Sequence, residues 1–144
     1  FLNEINNLIK QGIRINILGE IDKFSSEIKS TLKKSIYLTK KNKKIIVNLA
    51  LNYGSKHEMI RAFKKMHKKF TIKEFQANLY TKNMPDPDVL VRTGGYRRLS
   101  NFLLWQLAYT ELFFLKKLWP DFNSNDLIKI IKKFKRTQRN YGSL

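Results

Sequence analysis

Four short apolar runs alternate with longer stretches of helical spacing, and that alternation narrows the fold more than any other feature. Ile13 to Leu18, Ile45 to Leu51, Asp88 to Arg92 and Leu112 to Leu115 each have the length and flanks of a buried strand. Between them the spacing predicts helices. Leu2, Ile5, Leu8 and Ile9 form one, with Gly12 as its C-terminal cap. Ser25 to about Lys41 forms a second, with Ile28, Leu32 and Ile36 on one face. Ser55-x-x-Glu58 is a capping-box pattern opening a third, which carries Met59, Ile60, Phe63 and Met66 inward. Thr71-x-x-Glu74 opens a short fourth to about Tyr80. Phe102 to Ala108 reads as a fifth, and a final basic helix starts at Asn123 or Ser124 and runs to about Arg139. Strands alternating with helices predict an α/β fold, a parallel sheet with helices on both faces.

The 144 residues give room for one domain with a real core, and 42% hydrophobic content excludes a disordered basic tail. No apolar run approaches the roughly 20 residues of a membrane span. The absence of cysteine excludes disulfides, thiolate zinc sites and cysteine nucleophiles, and His57 and His67 are too few for a histidine-rich metal centre. Both read as solvated. Trp105, Tyr109 and Trp119 read as core. The chain begins with Phe1, which suggests a start inside a longer protein.

Twenty-nine Lys and Arg face 11 Asp and Glu, a net charge of +18. Nucleic acid, anionic membranes and phosphorylated substrates all fit that balance. Twenty-two of the cations are Lys, in a chain also rich in Ile and Asn, so much of the charge reads as solvated surface. The seven arginines are more informative, because Arg92, Arg97 and Arg98 fall within seven positions. A guanidinium fork matches phosphate and carboxylate in a way that an ammonium does not.

Ligands of open parallel sheets bind beyond the carboxyl ends of the strands. The second strand ends at Asn52-Tyr53-Gly54-Ser55, where a helix begins and offers free N–H groups. The third ends at Arg92-Thr93-Gly94-Gly95-Tyr96-Arg97-Arg98-Leu99-Ser100-Asn101. Two glycines for close backbone approach, three guanidinium groups and a Ser/Asn pair suit a diphosphate or similar anion. The plainer reading is a surface turn capped by Ser100, but capping alone does not need three arginines. Glu111 is an acid ahead of the uncharged run Leu112-Phe113-Phe114-Leu115. A Mg²⁺ shared with phosphate or a salt bridge to an arginine would each satisfy it, and the residues alone leave both open.

The string from Pro85-Asp86-Pro87-Asp88-Val89-Leu90-Val91-Arg92-Thr93-Gly94-Gly95 through Arg98-Leu99-Ser100-Asn101-Phe102-Leu103-Leu104-Trp105-Gln106-Leu107-Ala108-Tyr109 and Glu111-Leu112-Phe113-Phe114 to Leu118-Trp119-Pro120-Asp121-Phe122 resembles the C-terminal signature of the cis-prenyltransferase family, most closely the bacterial undecaprenyl diphosphate synthases. Asn52-Tyr53-Gly54 and Arg14-Ile15 to Gly19 resemble upstream motifs of the same family. The resemblance covers the whole chain as the C-terminal portion, 1–144, of a single cis-prenyltransferase domain whose N-terminal part is missing.

It implies an enzyme, a transferase of isoprenoid biosynthesis. Such an enzyme condenses isopentenyl diphosphate repeatedly onto an allylic diphosphate such as farnesyl diphosphate. Each step makes a Z double bond and releases pyrophosphate, and Mg²⁺ is required. The product, a long-chain polyprenyl diphosphate, is a lipid carrier for peptidoglycan or glycan synthesis. The resemblance further implies a cytoplasmic homodimer that touches the membrane surface through its lipid product and has no nucleic-acid partner. By the same analogy Arg92, Arg98, Leu99 and Ser100 hold isopentenyl diphosphate, Glu111 serves magnesium, and Asn52, Gly54, Gly94, Gly95, Asn101 and Arg139 are secondary candidates.

The chain departs from the family at several places. The Met-Asp-Gly-Asn loop, whose aspartate anchors Mg²⁺ and the allylic diphosphate, and the Ser-Glu-Asn-Trp segment do not occur. The chain alone is therefore expected to be inactive without the N-terminal half. Tyr96 stands where bacterial members usually have Glu, and Asn140-Tyr141-Gly142 replaces Arg-x-Gly, leaving Arg139 one position early. Lys56 and His57 also differ from the usual Arg and aromatic residue. Tyr96 carries none of the implied diphosphate contacts, so Tyr96→Glu is expected to leave activity unchanged or higher. Two alternatives stand beside the enzyme: a non-catalytic subunit or degenerate fragment of the family, and a basic nucleic-acid-binding module.

Overall fold

The structure is a computed structural model describing residues 4–67, 70–139 and 142. Leu2, Lys68, Lys69, Asn140 and Tyr141 lie outside the described residues, and with them the first apolar position of the N-terminal helix and the Asn140-Tyr141 departure. The chain divides into two compact units, Phe1–Lys82 and Asn83–Leu144. The four expected strands form as parallel pairs, one pair in each unit, rather than as one four-stranded ladder among the described residues.

In the first unit α1 (Ile5–Lys10) leads through Gly12 into β1 (Ile13–Leu18). The crossover α2 (Ser26–Thr39) then returns the chain to β2 (Ile45–Ala50). The pair runs from Ile13↔Ile45 to Leu18↔Ala50, and parallel pairing of this kind needs such a crossover. Alternating Ile13, Ile15 and Ile17 favour the pleat, and Ile15 and Leu18 are buried. Ser25 caps α2 by accepting the Ile28 N–H at 3.3 Å. The buried face of α2 is Leu32, Ser35 and Thr39, whereas Ile28 is exposed. The rotation has a hydrogen-bonding cause. Thr39 Oγ1 accepts the Ile15 N–H at 3.0 Å and donates to the Ser35 carbonyl at 2.8 Å, and Asn42 Nδ2 donates to the Ile13 carbonyl at 2.7 Å. At the other end of β1, Gly19 has φ +112°, and a Cβ there would collide with the Leu51 carbonyl.

Next, α3 (Ser55–Lys64) and α4 (Ile72–Ala77) also differ from the sequence pattern. Gly54, not Ser55, is the N-cap of α3. Glu58 turns inward instead of back to the cap. Its carboxylate accepts the Tyr53 hydroxyl at 2.5 Å and the Tyr80 N–H at 2.7 Å, and the residue is 1% exposed. Ser55, Glu58 and Ala62 therefore make the buried face, and Ile60 and Phe63 lie outside it, with Phe63 stacked on Phe70 at 5.5 Å. Thr71 does cap α4, accepting the Glu74 N–H at 3.2 Å. His57 is exposed on α3, and His67 is exposed beyond its end.

The second unit pairs β3 (Val89–Arg92) with β4 (Glu111–Phe114), in register from Val89↔Glu111 to Arg92↔Phe114. The segment between them is a series of turns, not the expected helix over Phe102 to Ala108. Ser100, Asn101 and Leu103 have φ of 49°, 63° and 45°, a left-handed region that cannot continue a right-handed helix. Gln106 and Leu107 are buried in these turns, Trp105 is half-buried, and Tyr109 is exposed. A 3₁₀ turn at Trp119–Asp121 follows. Trp119 is exposed and stacks on Phe122 at 5.8 Å, so neither it nor Tyr109 fills the core. The last helix, α5 (Ser124–Phe134), starts from a full capping box of Asn123 and Asp126 and buries Ile130. Among the described residues no helix is long and apolar enough to cross a membrane.

Two stability predictions follow from these contacts. Glu58→Ala leaves the Tyr53 hydroxyl and the Tyr80 N–H without their acceptor and should cost about 3 kcal/mol, whereas Tyr53→Phe should cost about 1 kcal/mol. Urea unfolding of both variants measures this. Asp126 is held below the usual carboxylate range, first by its hydrogen bond with Lys117 and then by the Asn123 N–H. A depressed folded pKa contributes stability that is present above the unfolded value and lost as pH falls through the folded one. The melting-temperature advantage of the wild type over Asp126→Asn should therefore hold at neutral pH and shrink below about pH 4.

Candidate functional site

The two strand ends marked in the sequence lie in different units. At the end of β2, Asn52 takes φ 46° and its Nδ2 donates to the Glu20 carbonyl at 3.0 Å. That bond ties the end of β2 to the segment after β1, just before Gly54 opens α3. The Tyr53 and Tyr80 rings meet edge to face at 6.3 Å. The Arg61 guanidinium lies 3.8 Å over the Tyr80 ring and donates to the Asn78 carbonyl at 2.8 Å. Burial pushes the Tyr80 hydroxyl above its ordinary pKa, with Glu20 and Glu58 adding to the rise and Arg61 opposing it. Beside this group is an open cleft of about 510 Å³, lined by Glu20, Lys56, His57, Ile60, Arg61, Lys64 and Lys65. Residue pattern does not reveal it, because these lysines match any solvated helix face.

The end of β3 is the more organised. The Arg92 carbonyl stays in the ladder, accepting the Leu115 N–H at 2.8 Å. Its side chain turns into the following loop, donating through Nη1 to Ser100 Oγ at 3.1 Å and to the Arg98 carbonyl. One guanidinium therefore gathers Arg98, Leu99 and Ser100 from six to eight residues downstream. The Arg98 guanidinium lies 4.2 Å over the ring of Tyr96, and that of Arg92 lies 6.0 Å from the same ring. Leu99 is half-buried and its carbonyl accepts the Phe102 N–H at 3.0 Å. Arg97 is exposed.

Gly94 and Gly95 have φ of +89° and +81°. Their N–H groups donate to the carbonyls of Lys117 and Leu115, each at 2.8 Å. The glycines therefore shape the turn and fasten it to the chain after β4, and their amides are already spent. Asn101 continues the left-handed stretch at φ 63°.

Glu111 and Arg139 lie elsewhere in the unit. Glu111 opens β4 opposite Val89, three register positions from the Arg92↔Phe114 pair, or about 10 Å along the strands. Its N–H donates to the Asp88 carbonyl at 3.0 Å. Arg139 bonds the Asp88 carboxylate at 2.6 Å and the Tyr109 carbonyl at 3.1 Å. Arg92 and Arg98 thus mark one end of the β3–β4 pair, and Asp88, Glu111 and Arg139 mark the other. Among the described residues Glu111 takes part in no ion pair, so the salt-bridge reading of this acid finds no partner. The described residues also hold no group of three or more His, Asp or Glu able to bind a metal. Glu111 could supply one carboxylate to a Mg²⁺, with the remaining oxygens coming from water and a bound diphosphate, which is how this ion is commonly held.

Comparison with known proteins adds to this geometry. A family model described as "Putative undecaprenyl diphosphate synthase" matches residues 1–142. An isoprenyl transferase of Rickettsia felis is 40% identical over 146 residues, covering 99% of this chain and 62% of that protein. One from Chlamydia muridarum is 39% identical over 150 residues, covering 97% and 59%. A probable undecaprenyl diphosphate synthase from Campylobacter jejuni superposes with TM-score 0.89 at 29% identity, over 98% of this chain and 68% of that one. Lavandulyl diphosphate synthase from Lavandula x intermedia, solved with dimethylallyl diphosphate, gives 0.93 at 28%, over 99% and 66%. The chain spans about three fifths of the length of the curated relatives it matches.

The contacts of Arg139 predict a structural role. Arg139→Ala should cost roughly 2 kcal/mol of stability through its lost charge-assisted bonds, and should change the affinity for inorganic pyrophosphate less than twofold. Denaturant unfolding and titration calorimetry on the same variant separate the two effects.

Proposed function

The chain belongs to the undecaprenyl diphosphate synthase family of prenyltransferases, and from that premise we propose that it forms the isopentenyl-diphosphate-binding part of a cis-prenyltransferase. The reaction is the condensation of isopentenyl diphosphate onto an allylic diphosphate such as farnesyl diphosphate. A carbon–carbon bond forms, the allylic carbon–oxygen bond breaks, a proton is lost and pyrophosphate leaves. The observation that carries the reading is Arg92 bonded to Ser100 and to the Arg98 carbonyl at the carboxyl end of β3. The Arg92 and Ser100 side chains and the Arg98 backbone are thereby gathered at one strand end, a setting suited to an anion with several oxygens.

Arg92 and Arg98 would hold the diphosphate by charge-assisted bonds, Ser100 would orient it, and Leu99 would lend backbone. Their work is positioning, which fixes the reacting carbon against its partner, and stabilisation of negative charge. Mg²⁺, held by Glu111 together with diphosphate oxygens, would supply neutralisation of the leaving group. The active protein would be a cytoplasmic homodimer whose long-chain product brings it to the membrane surface and serves peptidoglycan synthesis.

A non-catalytic subunit of the same family is the second reading. It is favoured by Tyr96, which stands in the anion loop where bacterial members usually have Glu.

Calorimetric binding of isopentenyl diphosphate, with incorporation of its radiolabelled form onto farnesyl diphosphate, tests both readings. Arg92→Ala should weaken binding roughly tenfold or more, the loss of a charge-assisted contact of about 1.5–3 kcal/mol, while Arg97→Ala changes it little. Added magnesium should tighten binding to the wild type but not to Glu111→Gln, with melting temperatures unchanged. Binding by the chain, with no incorporation even when it is joined to the N-terminal part of an active relative, would select the non-catalytic subunit, and no binding would exclude both.

A further inference from the structure

Tyr96 is exposed, yet two of the loop's three guanidinium groups lie near its ring: Arg98 at 4.2 Å and Arg92 at 6.0 Å from its centroid. A guanidinium can be held in two ways. A carboxylate binds it by the edge and consumes the N–H donors there. An aromatic ring holds it by the face and leaves the planar fork of donors unspent. Arg92 has less of its fork to offer, because its Nη1 serves Ser100 and the Arg98 carbonyl and leaves only Nε and Nη2. Of the two guanidinium groups near this ring, the more open fork is therefore that of Arg98, and the loop from Arg92 to Arg98 contains three arginines and no acid.

We propose that Tyr96 is a positioning residue of the diphosphate site: its ring holds Arg98 by the face, on the same aromatic surface that Arg92 approaches, so that the edge of the Arg98 fork stays open to diphosphate oxygens. The proposal rests on the reading of this loop as a diphosphate site. It also reverses the expectation for Tyr96→Glu. A carboxylate at position 96 would take the Arg98 edge for itself and repel the incoming anion, so restoring the residue common in bacterial relatives should weaken this site.

The test uses the whole chain, inorganic pyrophosphate as the probe and three variants, Tyr96→Phe, Tyr96→Ala and Tyr96→Glu. Titration calorimetry should give Tyr96→Phe an affinity within twofold of wild type, since the ring and not the hydroxyl faces the guanidinium. Tyr96→Ala should bind two- to fivefold more weakly, the magnitude of an exposed cation–π contact. Tyr96→Glu should lose about tenfold, because edge pairing and charge repulsion add to the lost stacking. In the ligand-free protein, the side-chain NMR signals of Arg98 should show a ring-current shift that persists in Tyr96→Phe and disappears in Tyr96→Ala. A merely structural tyrosine would not produce that pattern. If wild type binds pyrophosphate and Tyr96→Ala or Tyr96→Glu binds it equally well, the role of the tyrosine is overturned while the site stands. If wild type keeps the ring-current shift but binds no pyrophosphate, the diphosphate reading of the loop falls and takes the proposal with it.

Discussion

Arg92 ends β3 with its carbonyl in the ladder and its guanidinium in the loop. That division couples strand pairing to loop shape. The parallel register fixes the Arg92 backbone opposite Phe114, the side chain projects from a fixed point, and two acceptors eight and six residues onward close on it. That grip adds to the Gly94 and Gly95 backbone bonds at the start of the loop, where the exposed Tyr96, Arg97 and Arg98 bury little apolar surface. Charge-assisted bonds to a carbonyl and a hydroxyl are among the stronger contacts available to a half-exposed side chain.

The same loop shows why backbone conformation, not side-chain periodicity, governs this part of the chain. Five residues between Gly94 and Leu103 have positive φ, and three of them, Ser100, Asn101 and Leu103, carry side chains. Each non-glycine residue there costs about 1–2 kcal/mol. The cost is offset by the turn that delivers Ser100 Oγ to Arg92 and buries Gln106 and Leu107. Apolar residues at Phe102, Leu103, Leu104, Leu107 and Ala108 fit a helical pattern, and the pattern is real, but the chain enters it through left-handed residues that cannot propagate a helix.

Strands were legible in the sequence because four runs of Ile, Leu, Val and Phe between Gly, Asn and Pro leave little else for them to be. Their partners were not legible: nothing in the composition of β2 says that it pairs with β1 and not with β3. Helix existence was legible except over Phe102 to Ala108, and helix faces were legible only in part, as with Leu32 on α2. On α2 and α3 the apolar stripe pointed to Ile28, Ile60 and Phe63, whereas the faces that are buried carry Ser35, Thr39, Ser55 and Glu58. In each case hydrogen bonds to main-chain or tyrosine groups decided the rotation, and periodicity does not record them. The arginine–serine loop could be found because clustered Arg stands out against a lysine background. Tyr96 could not, since its role depends on which face of a neighbouring guanidinium it meets.

The separation of Glu111 from the arginines constrains how metal and anion could cooperate. One carboxylate supplies one or two of the six oxygens that magnesium requires, so Glu111 alone offers a weak site. Most of the coordination would have to come from water and from a diphosphate. A diphosphate held by Arg92, Arg98 and Ser100 would then raise magnesium affinity, and by thermodynamic reciprocity magnesium would raise diphosphate affinity by the same factor. The two ends of the β3–β4 pair stand about 10 Å apart along the strands, so the strand register sets whether one ligand can serve both ends. Arg139 and Asp88 carry opposite charges and are bonded to each other, so beside Glu111 they contribute little net field. Any charge coupling between the metal and the anion therefore has to pass through the ligand, with the protein supplying Arg92 and Arg98 at one end and Glu111 at the other.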